Sequence, residues 1–194
     1  MDKKWDIIDI LKYCRHDWLN KVQLIKGNLE LGKVNEVKGI IDAFIMESKN
    51  EAQLSNLNMP KLAELLLTLN WRGFPFAFEY EILEAKRGCA KVDQAMYDWT
   101  ISFIDYLNQS LDQLAPNELK IIVYVKDESI RFTFDLKGKI LLKEPIALFL
   151  SKCPTSAILC INEYTTEELV FDIEWKCENF SYIEDNIRSI QKRK

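Results

Sequence analysis

The chain has 194 residues and a mass of 22.8 kDa, enough for one ordinary domain or for a small helical unit joined to a larger one. With 48% hydrophobic and 29% charged residues it is expected to bury a core, which excludes wholesale disorder. The net charge of −4 argues against general nucleic-acid binding, which needs a basic face to neutralise phosphates.

The longest apolar runs, such as IALFL at residues 146–150, are too short to span a bilayer, and the opening MDKKWDIIDIL is too acidic for a secretory leader. No membrane association is expected, and the cytoplasm is the expected compartment. Five cysteines, at 14, 89, 153, 160 and 177, form no CxxC pair and share the chain with a single histidine, so no zinc-ligand set can be written and no bound metal is expected. They read as reduced, mostly buried small apolar residues.

Residues 3 to 32 read as one helix roughly 40 Å long. Apolar residues recur at Ile8, Leu11, Trp18, Val22, Ile25 and Leu29 in steps of three and four, with Arg15 as the interruption. Gly32 supplies a helix end, and Val34, Val37, Ile41 and Phe44 begin a second seam that continues to about Leu57. The expected product is a helical hairpin. Further apolar positions flank the seam at Ile7, Ile10, Cys14, Leu19, Leu24, Ile40 and Ile45, and these would stay wet unless a second copy covered them. A homodimer through a four-helix bundle is the consequence.

Pro60 closes this region, giving expected domains of 1–58, a helical hairpin for dimerisation, and 59–194. Nine basic and nine acidic residues precede Met59, so the second region, with 17 basic and 21 acidic residues, carries the whole net charge. There a short helix near residues 61–71 leads to the alternating strand FAFEYEIL, then to a long helix over residues 91–114. LKIIVYVKD and SIRFTFDLKG read as a hairpin turning at Asp127 and Glu128. A helical piece at residues 145–152 precedes the strand pair AILCINEY and LVFDIEWK. The predicted class is α+β, with helices against one face of a mainly antiparallel sheet. The basic end, RSIQKRK, reads as a solvated terminus.

His16 is the only imidazole in the chain, so any chemistry that needs one must use it. With Leu11, Trp18, Val22, Ile25 and Leu29 on the a/d seam, His16 falls at a b position and faces water. A solvated imidazole is mostly neutral at pH 7 and carries one free lone pair, which makes it a nucleophile toward an acyl phosphate. Lys12, Arg15 and Lys21 are placed to offset phosphoryl charge, Asn20 to donate a hydrogen bond one turn on, and Asp17 to orient the ring or to pair with Lys21.

The stretch RHDWLNKVQLIKGNLELG, residues 15–32, resembles the phosphoacceptor helix of the sporulation initiation phosphotransferase B family, phosphorelay proteins related to sensor histidine kinases. SNLNMPKLAELLLTLNW, residues 55–71, resembles the same family's passage from hairpin to C-terminal domain. The resemblance implies that His16 accepts a phosphoryl group from the aspartate of one response-regulator receiver domain and passes it to the aspartate of a second. Arg15, Asp17 and Asn20 occupy the positions beside the acceptor, and Leu19 and Gln23 are the expected regulator contacts. It implies no cofactor bound by this chain, the Mg2+ of transfer being held by the receiver domain.

A histidine kinase phosphorylating His16 from ATP is the rival reading. That chemistry needs glycine-rich turns that let the backbone approach a nucleotide closely. After Met59 only Gly73, Gly88 and Gly138 occur, each isolated, and neither DxGxG nor GxGxG can be written, although Asn108 lies on the long helix. The second region is therefore expected to resemble a kinase ATP-binding domain without its ATP site. A dimeric adaptor with His16 incidental is a third reading, and it gives no reason for the residues around His16.

Overall fold

A computed structural model describes residues 6–84, 89–126 and 129–177. By compactness the chain divides into Met1–Ala52 and Gln53–Lys194. This division falls inside the second helix, because Leu54 and Leu57 are fully buried in the core of the second unit.

In the first unit, α1 (Ile7–Glu30) is capped by the Asp6 carboxylate, which accepts from the Ile8 N–H at 3.1 Å. It ends in a Schellman turn: Gly32, at φ 70°, donates to the Leu29 carbonyl and Lys33 to the Asn28 carbonyl. The turn returns the chain directly into α2 (Val34–Ser55).

The hairpin phase differs from the one predicted. None of the described residues of α1 is buried, and the half-buried side chains are Asp9, Ile10, Tyr13, Cys14, Lys21, Ile25 and Asn28. Of the predicted seam only Ile25 is among them. Ile8, Leu11, Trp18, Val22 and Leu29 stand 54–71% exposed. Two apolar stripes lie side by side on this helix, and periodicity alone cannot tell which one meets α2.

The second unit begins with α3 (Pro60–Thr68), with proline in its first turn. The free N–H groups of Lys61 and Leu62 donate to the buried Asp93 carboxylate, at 3.1 and 2.9 Å. Then come β1 (Ala77–Glu84), α4 (Asp93–Ser110), β2 (Glu118–Val125), β3 (Ser129–Lys137), α5 (Lys143–Ser151), β4 (Ala157–Tyr164) and β5 (Glu168–Lys176). The class is α+β. The five strands form one mixed sheet in the order β1-β2-β3-β5-β4, with β1 parallel to β2 and the other three pairings antiparallel.

α4 stops four residues before the predicted end. Leu111 turns extended to bridge Ile140, and Asp112 donates to the Lys139 carbonyl, so this segment pairs with the chain leaving β3. The predicted turn at Asp127 and Glu128 and the basic C-terminal end lie outside the described residues.

One sheet face is apolar, through Ile121, Phe132, Phe134, Phe171 and Ile173 among others. Trp99 and Phe103 of α4 meet Phe134 and Phe171 edge-on at 5.1–5.8 Å, and Phe149 of α5 closes over Trp99 at 5.2 Å. Aromatic rings thus fill the layer between these helices and the sheet. The opposite face is polar, with Lys120 paired to Glu81 at 2.7 Å and Arg131 to Glu174 at 2.9 Å.

The cysteine reading also needs correction. Cys89, ahead of α4, and Cys177, after β5, form a disulfide with Cα atoms 5.7 Å apart. They are 88 residues apart in sequence and meet only because the fold brings the end of β5 beside the entry to α4. Cys14 and Cys153 are half-buried free thiols, with burial raising the pKa of Cys153, and Cys160 is exposed on the edge strand β4.

Candidate functional site

The helical geometry of α1 decides what surrounds His16. At 100° per residue, His16 lies roughly 120–160° round the helix from Leu11, Trp18, Val22 and Leu29. The imidazole therefore points away from the open apolar stripe, and its side chain is 72% exposed. Both of its contacts fall on one nitrogen: Nδ1 is 3.2 Å from Asn20 Nδ2 and 3.5 Å from Asp17 Oδ1.

These two neighbours select opposite tautomers. When Nδ1 is protonated it donates to Asp17, leaving the lone pair on Nε2, which has no partner among the described residues; when Nδ1 is bare it accepts from Asn20. The first arrangement presents a nucleophilic nitrogen to solvent, with a carboxylate behind the ring to stabilise the positive charge that develops on attack. The pair costs little to form, since i to i+4 spacing already places Asn20 one turn beyond the ring.

Lys12, Leu19 and Gln23 are exposed on the helix face around His16, within roughly 60° of it. Arg15 is also exposed, but lies about 100° away on the side of the open stripe. Lys21 is not brought to His16. It turns toward α2, where it forms an ion pair with Glu47 and lies 4.6 Å from the centroid of the Phe44 ring. Its side chain is only 29% exposed. The pairing of Lys21 with Asp17 that i+4 spacing allows is thus replaced by one across the hairpin.

Glu47 has no part in the sequence reading, and Phe44 enters it only as a member of the second apolar seam. The available signal was a lysine inside a half-buried stripe, which calls for an acidic partner on the facing helix. Glu51, one turn beyond Glu47, has its pKa raised, first by burial and then by the Glu47 charge, with Lys21 opposing. Among the described residues no group of three or more His, Cys, Asp or Glu side chains is arranged to hold a metal ion. None of the described helices is long and apolar enough to cross a membrane.

Two family profiles divide the chain between them. The alpha-helical domain of the SpoOB-type sensor kinases matches residues 1–57, and the C-terminal domain of sporulation initiation phosphotransferase B matches residues 58–176. The chain belongs to the sporulation initiation phosphotransferase B family. The protein of that name from Bacillus subtilis (strain 168) is 35% identical over 116 residues, a match spanning 60% of this chain and 60% of that protein's own length.

Among solved structures, the chain is similar to the Acinetobacter baumannii histidine kinase AdeS, at 13% identity and a TM-score of 0.43, over 84% of this chain and 98% of that one. It is also similar to a bacterial phosphotransferase, at 14% identity and a TM-score of 0.39, over 88% of this chain and 98% of that one. In this member of the phosphotransferase B family the sole histidine lies in the helical domain, on the water-facing side of α1.

Proposed function

We propose that this protein is a phosphorelay phosphotransferase of sporulation initiation, which carries a phosphoryl group between two response regulators on His16. The observation that carries the reading is the state of the single imidazole: exposed, with both contacts on Nδ1 and with Nε2 open to an incoming group. Family membership supports the same assignment.

In the forward step the Nε2 lone pair attacks the phosphorus of an aspartyl phosphate on a docked receiver domain. The N–P bond forms as the O–P bond of the mixed anhydride breaks, and the aspartate carboxylate leaves with the electron pair. Asp17 accepts the Nδ1–H as the ring becomes cationic, and Asn20 and Lys12 face the transferred oxygens. The second regulator's aspartate reverses the displacement. Acyl phosphate and phosphoimidazole have similar transfer potentials, so this chain contributes mainly positioning and charge stabilisation. Mg2+ belongs on the receiver domain.

The protein acts as a homodimer. A second copy covers Leu11, Trp18, Val22 and Leu29 of α1 together with Val34, Ile41 and Ile45 of α2, leaving His16 on the outside of a four-helix bundle. Leu19 and Gln23 belong to the regulator-docking face. The α+β domain serves as a scaffold and binds no ATP; the isolated glycines and the aromatic packing between α4, α5 and the sheet support this.

His16→Ala tests the assignment. A phosphorylated receiver domain should label the wild type and leave the variant unlabelled, with the mass in solution unchanged. ATP and Mg2+ without a regulator should label neither. Equal labelling of the variant excludes the relay, and label on His16 from ATP alone makes the protein a kinase.

A further inference from the structure

We propose that residues 178–194 dock as a helix across the polar face of the sheet in the second unit, with their basic end on the carboxylates at the far end of that face. The proposal is independent of the phosphotransfer reading.

The basic run RSIQKRK has no part in that reading, and the family match stops at residue 176, ahead of it. Phe180, Ile183, Ile187 and Ile190 recur in steps of three and four, the period of an amphipathic helix, and such a stripe needs an apolar cover. Charge along the segment is divided. Glu178, Glu184 and Asp185 come first, and Arg188, Lys192, Arg193 and Lys194 follow.

The segment leaves from a fixed point, because Cys177 is tied to Cys89 where β5 stops. Both faces of the sheet are within its reach. The apolar face is already taken, since α3, α4 and α5 bury their apolar side chains in one core with it. The polar face is left without a helix from the described residues of the second unit.

That face has its own polarity along the strands. At the end where β5 stops, Arg131 lies opposite Glu174, Lys176 lies opposite Ser129, and the Lys126 ammonium stands 5.9 Å from the centroid of the Tyr124 ring. Cations prevail there. At the far end Lys137 sits between Glu118 and Glu168, and the next row inward holds Glu79, Lys120 and Asp135, with Lys120 already paired to Glu81. Carboxylates prevail here, and Asp135 Oδ1 is buried with no hydrogen-bond partner among the described residues, in the wall of a pocket that Glu79 and Glu118 also line.

A helix running back antiparallel to β5 sets its acidic half over the cations and its basic half over the carboxylates. The lengths agree: residues 178–194 span about 25 Å as a helix, and β5 from Lys176 back to Glu168 spans about 26 Å. Half-buried Tyr124, Ile122 and Val170 lie along this path to meet the apolar stripe. Exposed ion pairs contribute little singly, so the apolar contacts hold the segment and the charge pattern sets its direction.

The test uses the full chain. In Glu118→Lys with Glu168→Lys, neither of whose side chains is buried, tryptic cleavage after Arg188 should be at least fivefold faster than in wild type. Lys192→Glu, Arg193→Glu and Lys194→Glu together should have the same effect, and joining both sets should return the rate to within about twofold of wild type. Carbodiimide coupling of wild type prepared from mixed isotope-labelled and unlabelled chains should link Lys192 or Lys194 to Glu79, Glu118, Asp135 or Glu168 within one chain. Equal cleavage rates in wild type and the face variant would overturn the proposal, as would a joined variant no slower than either set alone. Links between labelled and unlabelled chains would overturn it in favour of docking on a second copy, and links to carboxylates of the helical hairpin would overturn it in favour of the first unit.

Discussion

Trp18 offers the sharpest test of the homodimer. It is 64% exposed in the single chain and lies at the middle of the open stripe on α1. A tryptophan side chain presents up to about 250 Å², so roughly 160 Å² is available for a second copy to cover, worth about 4 kcal/mol at ~25 cal/mol per Å². Incomplete burial and interface ordering bring this nearer to 2 kcal/mol. In a twofold interface each substitution counts twice, so Trp18→Ala should cost the dimer about 4 kcal/mol, on the order of a thousandfold in its dissociation constant. Sedimentation equilibrium over a micromolar dilution series should show wild type near twice 22.8 kDa and the variant shifting to the single-chain mass, with helical circular dichroism lost only where the monomer forms. A variant that stays dimeric across the same series as wild type would refute the assignment of this stripe to the interface.

Two further substitutions follow from the electrostatics. Asp17→Asn removes the carboxylate behind Nδ1 while keeping its shape; single-turnover labelling should slow by about ten- to a hundredfold, and an unchanged rate would mean Asp17 plays no part in holding the ring. Glu51→Gln addresses a raised pKa. In the folded chain the charged form is disfavoured by burial and by Glu47, so the native carboxylate costs stability above the ordinary glutamate range and nothing below it. The amide should therefore raise the melting temperature of the hairpin at pH 7, with the gain vanishing as pH falls below about 4. A gain of equal size at pH 3 would show that charge is not the cause.

Most elements could be read directly from the sequence, because each is a local pattern. Alternation in FAFEYEIL and in LVFDIEWK marks strands β1 and β5, and Gly32 and Pro60 mark where helices stop and start. The exposure of His16 was also legible, since its angle to Leu11, Trp18 and Val22 holds in any straight helix. The destination of Lys21 was not. Its i+4 relation to Asp17 is a feature of α1 alone, whereas Glu47 is 26 residues away and is reached only once α2 folds back. The Cys89–Cys177 pair was hidden for the same reason, and α4 ended early because Leu111 found a partner at Ile140, on a strand exit that no local pattern announces.

The sequence by itself determined a helical hairpin followed by an α+β domain, a single possible imidazole nucleophile facing water, and glycines too few and too scattered for a nucleotide loop. Backbone periodicity, residue chemistry and chain flexibility are all short-range, so they survive without a fold. Only the tertiary structure decided which of the two apolar stripes on α1 meets α2, that β1 pairs in parallel with β2, and that Lys21 belongs to Glu47 rather than to the phosphoryl site. Each of these is a choice between alternatives with nearly equal local energy, separated only by contacts between residues far apart along the chain.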